Sequence, residues 1–195
     1  MSPIRPTPRA LTAVTVCLLA VGLWQIAEGS WIYAKARLAQ LLLQRAWSHA
    51  LAGEPAPKPW PWADTWPVAR LSVPSQRVEQ IVLHGAYGRT LAFGPGYAET
   101  SAFPGSAGTT ILTAHRDTHF RFVKRLQPGD ELVIETREGR RKRYRVQDRR
   151  IMDVQAGSIS LDGRTNRLVL VTCYPFDALR PGGPLRYVVT AEERA

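Results

Sequence analysis

The chain has 195 residues, of which 45% are hydrophobic and 22% charged, a balance that fits one ordinary domain with an appendage and excludes wholesale disorder. Two cysteines exclude a disulfide-dense scaffold and a Cys-rich zinc site. A formal net charge of +10 points to a polyanionic neighbour, either nucleic acid or an anionic membrane surface.

Leu11 to Ala27 carries no charge and follows Arg5 and Arg9. At 17 residues it is at the short end for a membrane-spanning helix and just beyond the usual apolar core of a signal peptide. Ala34-Lys35-Ala36 has the form of a cleavage site but lies beyond Trp31, Ile32 and Tyr33, so an uncleaved anchor is expected. Arg5 and Arg9 hold the tail in the cytoplasm, although Lys35 and Arg37 on the far side weaken the asymmetry. Ser30 to Ala52 lacks proline and repeats Leu38, Leu41, Leu42 and Ala46 at helical spacing, a helix that continues from the anchor or lies on the membrane. Five of the thirteen residues from Pro55 to Pro67 are proline, which forbids a regular helix or central strand. All six tryptophans fall at or before residue 66, which suits a domain held near a bilayer; packing on the domain is the equal alternative for Trp60 to Trp66. The expected divisions are a cytoplasmic tail and transmembrane anchor over 1–29, a juxtamembrane helix over 30–54, a Pro/Trp-rich linker over 55–67 and the main domain over 68–195. That order makes a single-pass inner-membrane protein with its domain outside the cytoplasm, where nucleic acid is not the partner.

Beyond the linker come short strands: Val68 to Val73, Arg77 to Leu83, Gly108 to His115, Glu131 to Thr136, Arg140 to Met152, Arg167 to Cys173 and Leu185 to Ala191. Gly85 to Ser106 is loop-rich, and Thr118 to Leu126 is a helical connection stopped by Gln127-Pro128-Gly129-Asp130. The total is put at about eight strands. So little helix between them indicates an antiparallel or mixed β-barrel, not a doubly wound α/β fold.

Cys17 is inside the apolar run, so Cys173 is expected to be a free thiol. A free cysteine is most often a small buried hydrophobe, and it becomes a nucleophile when a base or cation raises its thiolate fraction. Cys173 ends one strand, His115 ends another and Arg186 opens a third, so the three converge if those strands are neighbours. A guanidinium does not act as a base; its natural task is to donate hydrogen bonds to a carbonyl or oxyanion, against the alternative of a salt bridge to Asp117 or another acid. Arg180 is the rival, and Arg186 is preferred because a strand fixes its side chain. Asp117 either orients His115 or the substrate, or serves as a turn or helix N-cap. Thr172, by spacing alone, faces away from Cys173. His119 follows His115 by four residues, but without a His-Glu-x-x-His pattern zinc is not expected. His84 and His49 read as ordinary exposed or capping histidines. Arg141, Arg143 and Arg145, in the basic span Arg137 to Arg150, share one strand face that is either solvated or set against lipid phosphates.

Thr113-Ala114-His115-Arg116-Asp117, Leu170-Val171-Thr172-Cys173 and Leu185-Arg186-Tyr187-Val188-Val189 together resemble the sortases, membrane-anchored cysteine transpeptidases, over roughly residues 68 to 191. The strings Thr113 to Phe120, Leu170 to Phe176 and Pro181 to Tyr187 look most like sortases of Gram-negative bacteria. The resemblance implies an eight-stranded β-barrel with short helices after the anchor, with no cofactor or metal. It implies that Cys173 attacks the threonine carbonyl of a Leu-Pro-x-Thr-Gly-like (LPxTG-like) signal near the C-terminus of a secreted protein. His115 then exchanges protons, Arg186 holds the carbonyl, Thr172 contacts the peptide, and an amine acceptor releases the acyl group. Two other readings stand beside it. An L,D-transpeptidase generally has a Ser-His-Gly-Cys string, absent here, and a papain-like hydrolase has Cys before His. A non-catalytic membrane-tethered β-domain is the reading outside enzymology.

Overall fold

The computed structural model describes residues 8–159, 161, 165–178 and 182–194, and the chain divides into two compact units, Met1–Gln40 and Leu41–Ala195. One helix, α1 (Pro8–Leu51, 44 residues), runs through both, so where the sequence left open a second helix lying on the membrane, the structure has a single uninterrupted element. At 1.5 Å per residue it is about 66 Å long. In the first unit its large apolar side chains, among them Leu11, Leu18, Trp24 and Ile32, face outward, and the helix is long and apolar enough to cross a bilayer.

The second unit is a closed barrel of eight strands: β1 (Pro67–Val73), β2 (Val78–His84), β3 (Gly96–Tyr97), β4 (Thr109–Thr113), β5 (Glu131–Thr136), β6 (Arg141–Asp153), β7 (Arg167–Cys173) and β8 (Leu185–Glu193). Their order around the barrel is β1-β2-β3-β4-β7-β8-β6-β5. Two neighbouring pairs, β2 with β3 and β4 with β7, are parallel and the others antiparallel, which is the mixed barrel expected from the strand spacing. The two-residue β3 lies inside the span expected to be loop and closes the ring between β2 and β4.

Alternation along each strand sends every second side chain inward. Leu71 and Val73, Leu132 and Ile134, Tyr144 and Val146, Leu168 and Leu170, and Val189 and Ala191 thereby meet in one buried core. The connection expected to be helical is a 3-10 helix over Arg121–Arg125. Phe120, Val123 and Leu126, all fully buried, recur every third residue, the spacing that a 3-10 helix and not an α-helix puts on one face. A short helix, α2 (Gly88–Leu91), precedes β3.

A second cluster joins the end of α1 to β2. Leu43, Trp47 and Ala50 share a helix face and pack on Ile81 and Leu83, with Phe93 at the edge. The Arg70 guanidinium sits over the Trp47 ring, 5.7 Å from its centroid. Trp60 meets Phe93 edge-on at 4.9 Å, and Trp66 stacks on His84 at 4.0 Å. Trp47, Trp60 and Trp66 are therefore packing residues of this unit, whereas Trp62 stands 82% exposed. His84 is no ordinary exposed or capping histidine, because its Nε2 also pairs with Glu99 at 3.0 Å. On β6, Arg141, Arg143 and Arg145 all face solvent. Arg141 leans on Glu135, and the intervening Lys142 pairs with Glu193 at 2.9 Å.

Candidate active site

Three strands in a row, β4, β7 and β8, carry the residues singled out in the sequence. In the antiparallel β7–β8 ladder Cys173 lies directly opposite Arg186, so the two side chains leave the sheet on the same face, with Cβ atoms about 5 Å apart. In the parallel β4–β7 pair Thr113 lies opposite Val171, and the Ala114 amide donates to the Val171 carbonyl at 3.4 Å. His115 and Cys173 each follow that pair by two residues, His115 just beyond the end of β4 and Cys173 as the last residue of β7. Leu112 and Leu170 point into the core, so His115, Cys173 and Arg186 all emerge on the opposite parity, outward. Cys173 is half-buried and His115 exposed, which leaves the thiol reachable from solvent.

The turn that carries His115 is fixed from both sides. The Phe120 amide donates to the His115 carbonyl at 3.0 Å, and the Phe120 ring is buried in the core. The Thr172 hydroxyl donates to the Ala114 carbonyl at 2.8 Å. Thr172 is only 2% exposed and faces away from Cys173, as strand alternation requires, so it braces the site from behind. Asp117 is exposed in the turn that follows β4 and does not cap the 3-10 helix, and among the described residues its carboxylate has no hydrogen-bond or ion-pair partner. Arg186 is half-buried and its Nη1 donates to the carbonyls of Gly183 and Leu185 at 2.8 and 2.9 Å. Its rival Arg180 lies outside the described residues. In the segment after Cys173, Tyr174 and Phe176 meet each other and Tyr187 of β8, with ring centroids 5.2 to 6.3 Å apart.

Two further side chains were not singled out as site residues. Arg116, next to His115, is 8% exposed, and its Nη2 donates to the Ala178 carbonyl at 2.8 Å. The signal for it was parity: a charged residue one step past an outward-facing strand end must point inward. His119 is half-buried with Nδ1 3.0 Å from the Gln80 Oε1, a bond across 39 residues of chain. Burial pushes its pKa down, hydrogen bonding to the Ala92 carbonyl pushes it up, and the nearby His115 pushes it down again. Among the described residues no group of three His, Cys, Asp or Glu side chains is placed to hold a metal ion.

Chemically the arrangement offers a thiol opposite a guanidinium, with an imidazole just past the end of the strand paired with β7 on its other side. That set can form and break an acyl–sulfur bond, with a proton carrier and a carbonyl-binding cation at hand.

Comparison with known proteins agrees with this geometry. The sortase domain model matches residues 71–194. Sortase D of Bacillus subtilis (strain 168) is 32% identical over 120 residues, which is 61% of this chain, and the match spans 60% of that relative's length. Sortase C-1 of Actinomyces oris has a crystal structure with a TM-score of 0.60 at 26% identity, covering 66% of this chain and 73% of the other. Sortase A of Corynebacterium diphtheriae shares the fold alone, with a TM-score of 0.61 at 20% identity, over 80% of this chain and 84% of the other. With a family model over more than half its length and a barrel of the same build, the chain belongs to the sortase family.

Proposed function

We propose that this protein is a membrane-anchored cysteine transpeptidase that cuts an LPxTG-like sorting signal of a secreted protein and transfers the acyl part to an amine. The observation that carries the proposal is the register, in which Cys173 lies opposite Arg186 on β7–β8, while His115 follows the end of β4, the strand paired with β7 on its other side. His115 takes the thiol proton, and the Cys173 sulfur adds to the carbonyl carbon of the signal's threonine. Arg186 donates to the oxygen as negative charge builds on it, through N–H groups other than the Nη1 already bonded to Gly183 and Leu185. The threonine–glycine C–N bond breaks, the leaving amine receives the proton from His115, and a thioester remains on Cys173. An acceptor amine then gives a proton to His115 and attacks the thioester, and the C–S bond breaks to return the thiol.

The long apolar α1 supports a single-pass anchor in the inner membrane, with Arg5 and Arg9 on the cytoplasmic side and the barrel in the periplasm. In this reading residues 1–29 are tail and anchor, 30–54 the juxtamembrane part of the helix, 55–67 the linker and 68–195 the catalytic domain. The strings Thr113 to Phe120 and Leu170 to Phe176 favour the Gram-negative branch of the family.

The test is to incubate the full chain in detergent micelles with a labelled peptide holding Leu-Pro-x-Thr-Gly and a small amine, and to follow Cys173 by mass spectrometry. An adduct of the peptide cut after threonine, released by hydroxylamine, is expected on Cys173. Cys173→Ala abolishes turnover, and His115→Ala lowers it by about 10²-fold or more, the range for loss of a general acid–base. Full activity of Cys173→Ala would sink the reading in favour of a binding domain.

A further inference from the structure

Arg116 has a place in this site that its position in the sequence does not explain. Its neighbour His115 faces out beside the thiol, while Arg116 turns inward and is 8% exposed. A guanidinium at that depth requires strong acceptors, since burying a cation without them costs several kcal/mol. One acceptor is the Ala178 carbonyl, 62 residues away in sequence and 2.8 Å from Nη2. Ala178 lies five residues past Cys173 in the chain. Within that stretch the Tyr174 amide is held by the Leu185 carbonyl at 3.1 Å, and the Ala178 amide turns back to the Pro175 carbonyl at 3.5 Å. The segment leaving the thiol thus folds over, and its far end is held by the residue next to the imidazole.

We infer that Arg116 is a positioning residue: its buried guanidinium ties the Cys173–Ala178 segment to the His115 turn and sets the separation of thiol and imidazole, a role that rests on the Cys173–His115 pairing proposed above. The Thr172 hydroxyl and the β4–β7 ladder also join those two segments, both on the near side of Cys173. Arg116 holds the far side. The planar guanidinium reaches the carbonyl while its stem packs below; a lysine keeps the charge but offers a point donor on a different arc. Arg116→Lys therefore lets the segment drift without changing the net charge near the thiol.

The experiment reads the thiol itself and needs no sorting substrate. In a Cys17→Ser background the full chain in detergent is alkylated with iodoacetamide at fixed neutral pH, and the rate at Cys173 is followed by mass spectrometry. Four proteins are compared: parent, His115→Ala, Arg116→Lys and the double variant, each checked for a cooperative thermal transition. The expected result is a rate about 5–10-fold lower in Arg116→Lys than in the parent, and no further loss when the same change is made in His115→Ala, the non-additivity of two residues acting through one contact. A rate for Arg116→Lys within twofold of the parent overturns the inference, as does an equal loss in both backgrounds, which would mark Arg116 as a structural or purely electrostatic support. If His115→Ala alone leaves the rate unchanged, the pairing of thiol and imidazole fails first, and the inference fails with it. Should Arg116→Lys lose its thermal transition, Ala178→Gly takes its place. It leaves the arginine intact, loosens the backbone whose carbonyl it holds, and is judged by the same two outcomes.

Discussion

Arg186 carries two donor bonds from Nη1 to backbone carbonyls of its own approach, Gly183 and Leu185. Those bonds restrain a flexible side chain at a strand end and aim the rest of the planar fork, the orientation that the proposed carbonyl-holding role requires. A lysine at this position keeps the charge and loses both the fork and the anchoring geometry. Arg186→Lys is expected to lower kcat for the labelled peptide by about 10²-fold, the cost of removing one oxyanion donor, with a smaller change in KM. Steady-state kinetics of the pair decides it, and a lysine variant within threefold of the parent means that only the charge matters. The same reasoning shows what a residue-by-residue reading reaches. Cys173, His115 and Arg186 stand out because chemistry-bearing types sit where β-formers stop. Thr172 has its parity legible but not its partner, since its hydroxyl finds the Ala114 carbonyl 58 residues away. Arg116 and His119 were hidden for the same reason: their acceptors come from distant segments that only the closed barrel brings near.

At the scale of elements, α1 is a composite. Its first part exposes apolar side chains on every side, while Leu43, Trp47 and Ala50 near its end bury one face against Ile81 and Leu83 of β2. Trp47 is 1% exposed and is the largest side chain in that cluster. Trp47→Ala removes its packing and leaves a cavity, at about 3–5 kcal/mol by the usual range for such truncations. Against a typical total of about 5–15 kcal/mol this is a large loss, and it should lower the denaturation midpoint of the full chain in urea. A loss below about 1 kcal/mol would mean that the end of α1 contributes little to the stability of its unit. Reading the tryptophans as membrane-interface residues missed this, because an indole near an anchor has the same composition signal whether it meets lipid or β2. The strands were more legible. Seven of them are five residues or longer, whereas β3 is two residues long and has no period to detect. Helical content between β4 and β5 was also visible, but its 3-10 form follows from the three-residue spacing of Phe120, Val123 and Leu126 around the core.

On the scale of the whole molecule, the barrel stores a pH dependence in one histidine. His119 faces Gln80 of β2, the Ala92 carbonyl after α2 and His115 on its own turn, so it links three segments at the end of the barrel that carries the thiol. Burial, the leading cause, holds its folded-state pKa below the ordinary value of 6.5, and a charged His115 acts in the same direction. The unfolded chain therefore binds a proton that the folded chain refuses. Stability from this group is fully present above about pH 6.5 and is lost as the pH falls through the lowered folded value. Tyr144 gives the opposite limb: burial raises its pKa to about 12, so stability declines once the pH passes about 10, where the unfolded tyrosine begins to ionise. Other groups titrate over the same acid range, so the contribution of His119 is read as a difference. The thermal midpoint of the full chain in neutral detergent is expected to fall between about pH 7.5 and pH 5. His119→Gln retains an amide to meet Gln80 but cannot take a proton, so its midpoint should fall less over the same interval. Parallel curves for the two proteins would show that His119 does not carry the acid sensitivity. A shallower curve for the variant would place the acid-labile link at the turn that presents His115, so that the end of the barrel bearing the catalytic rim loosens before the core does.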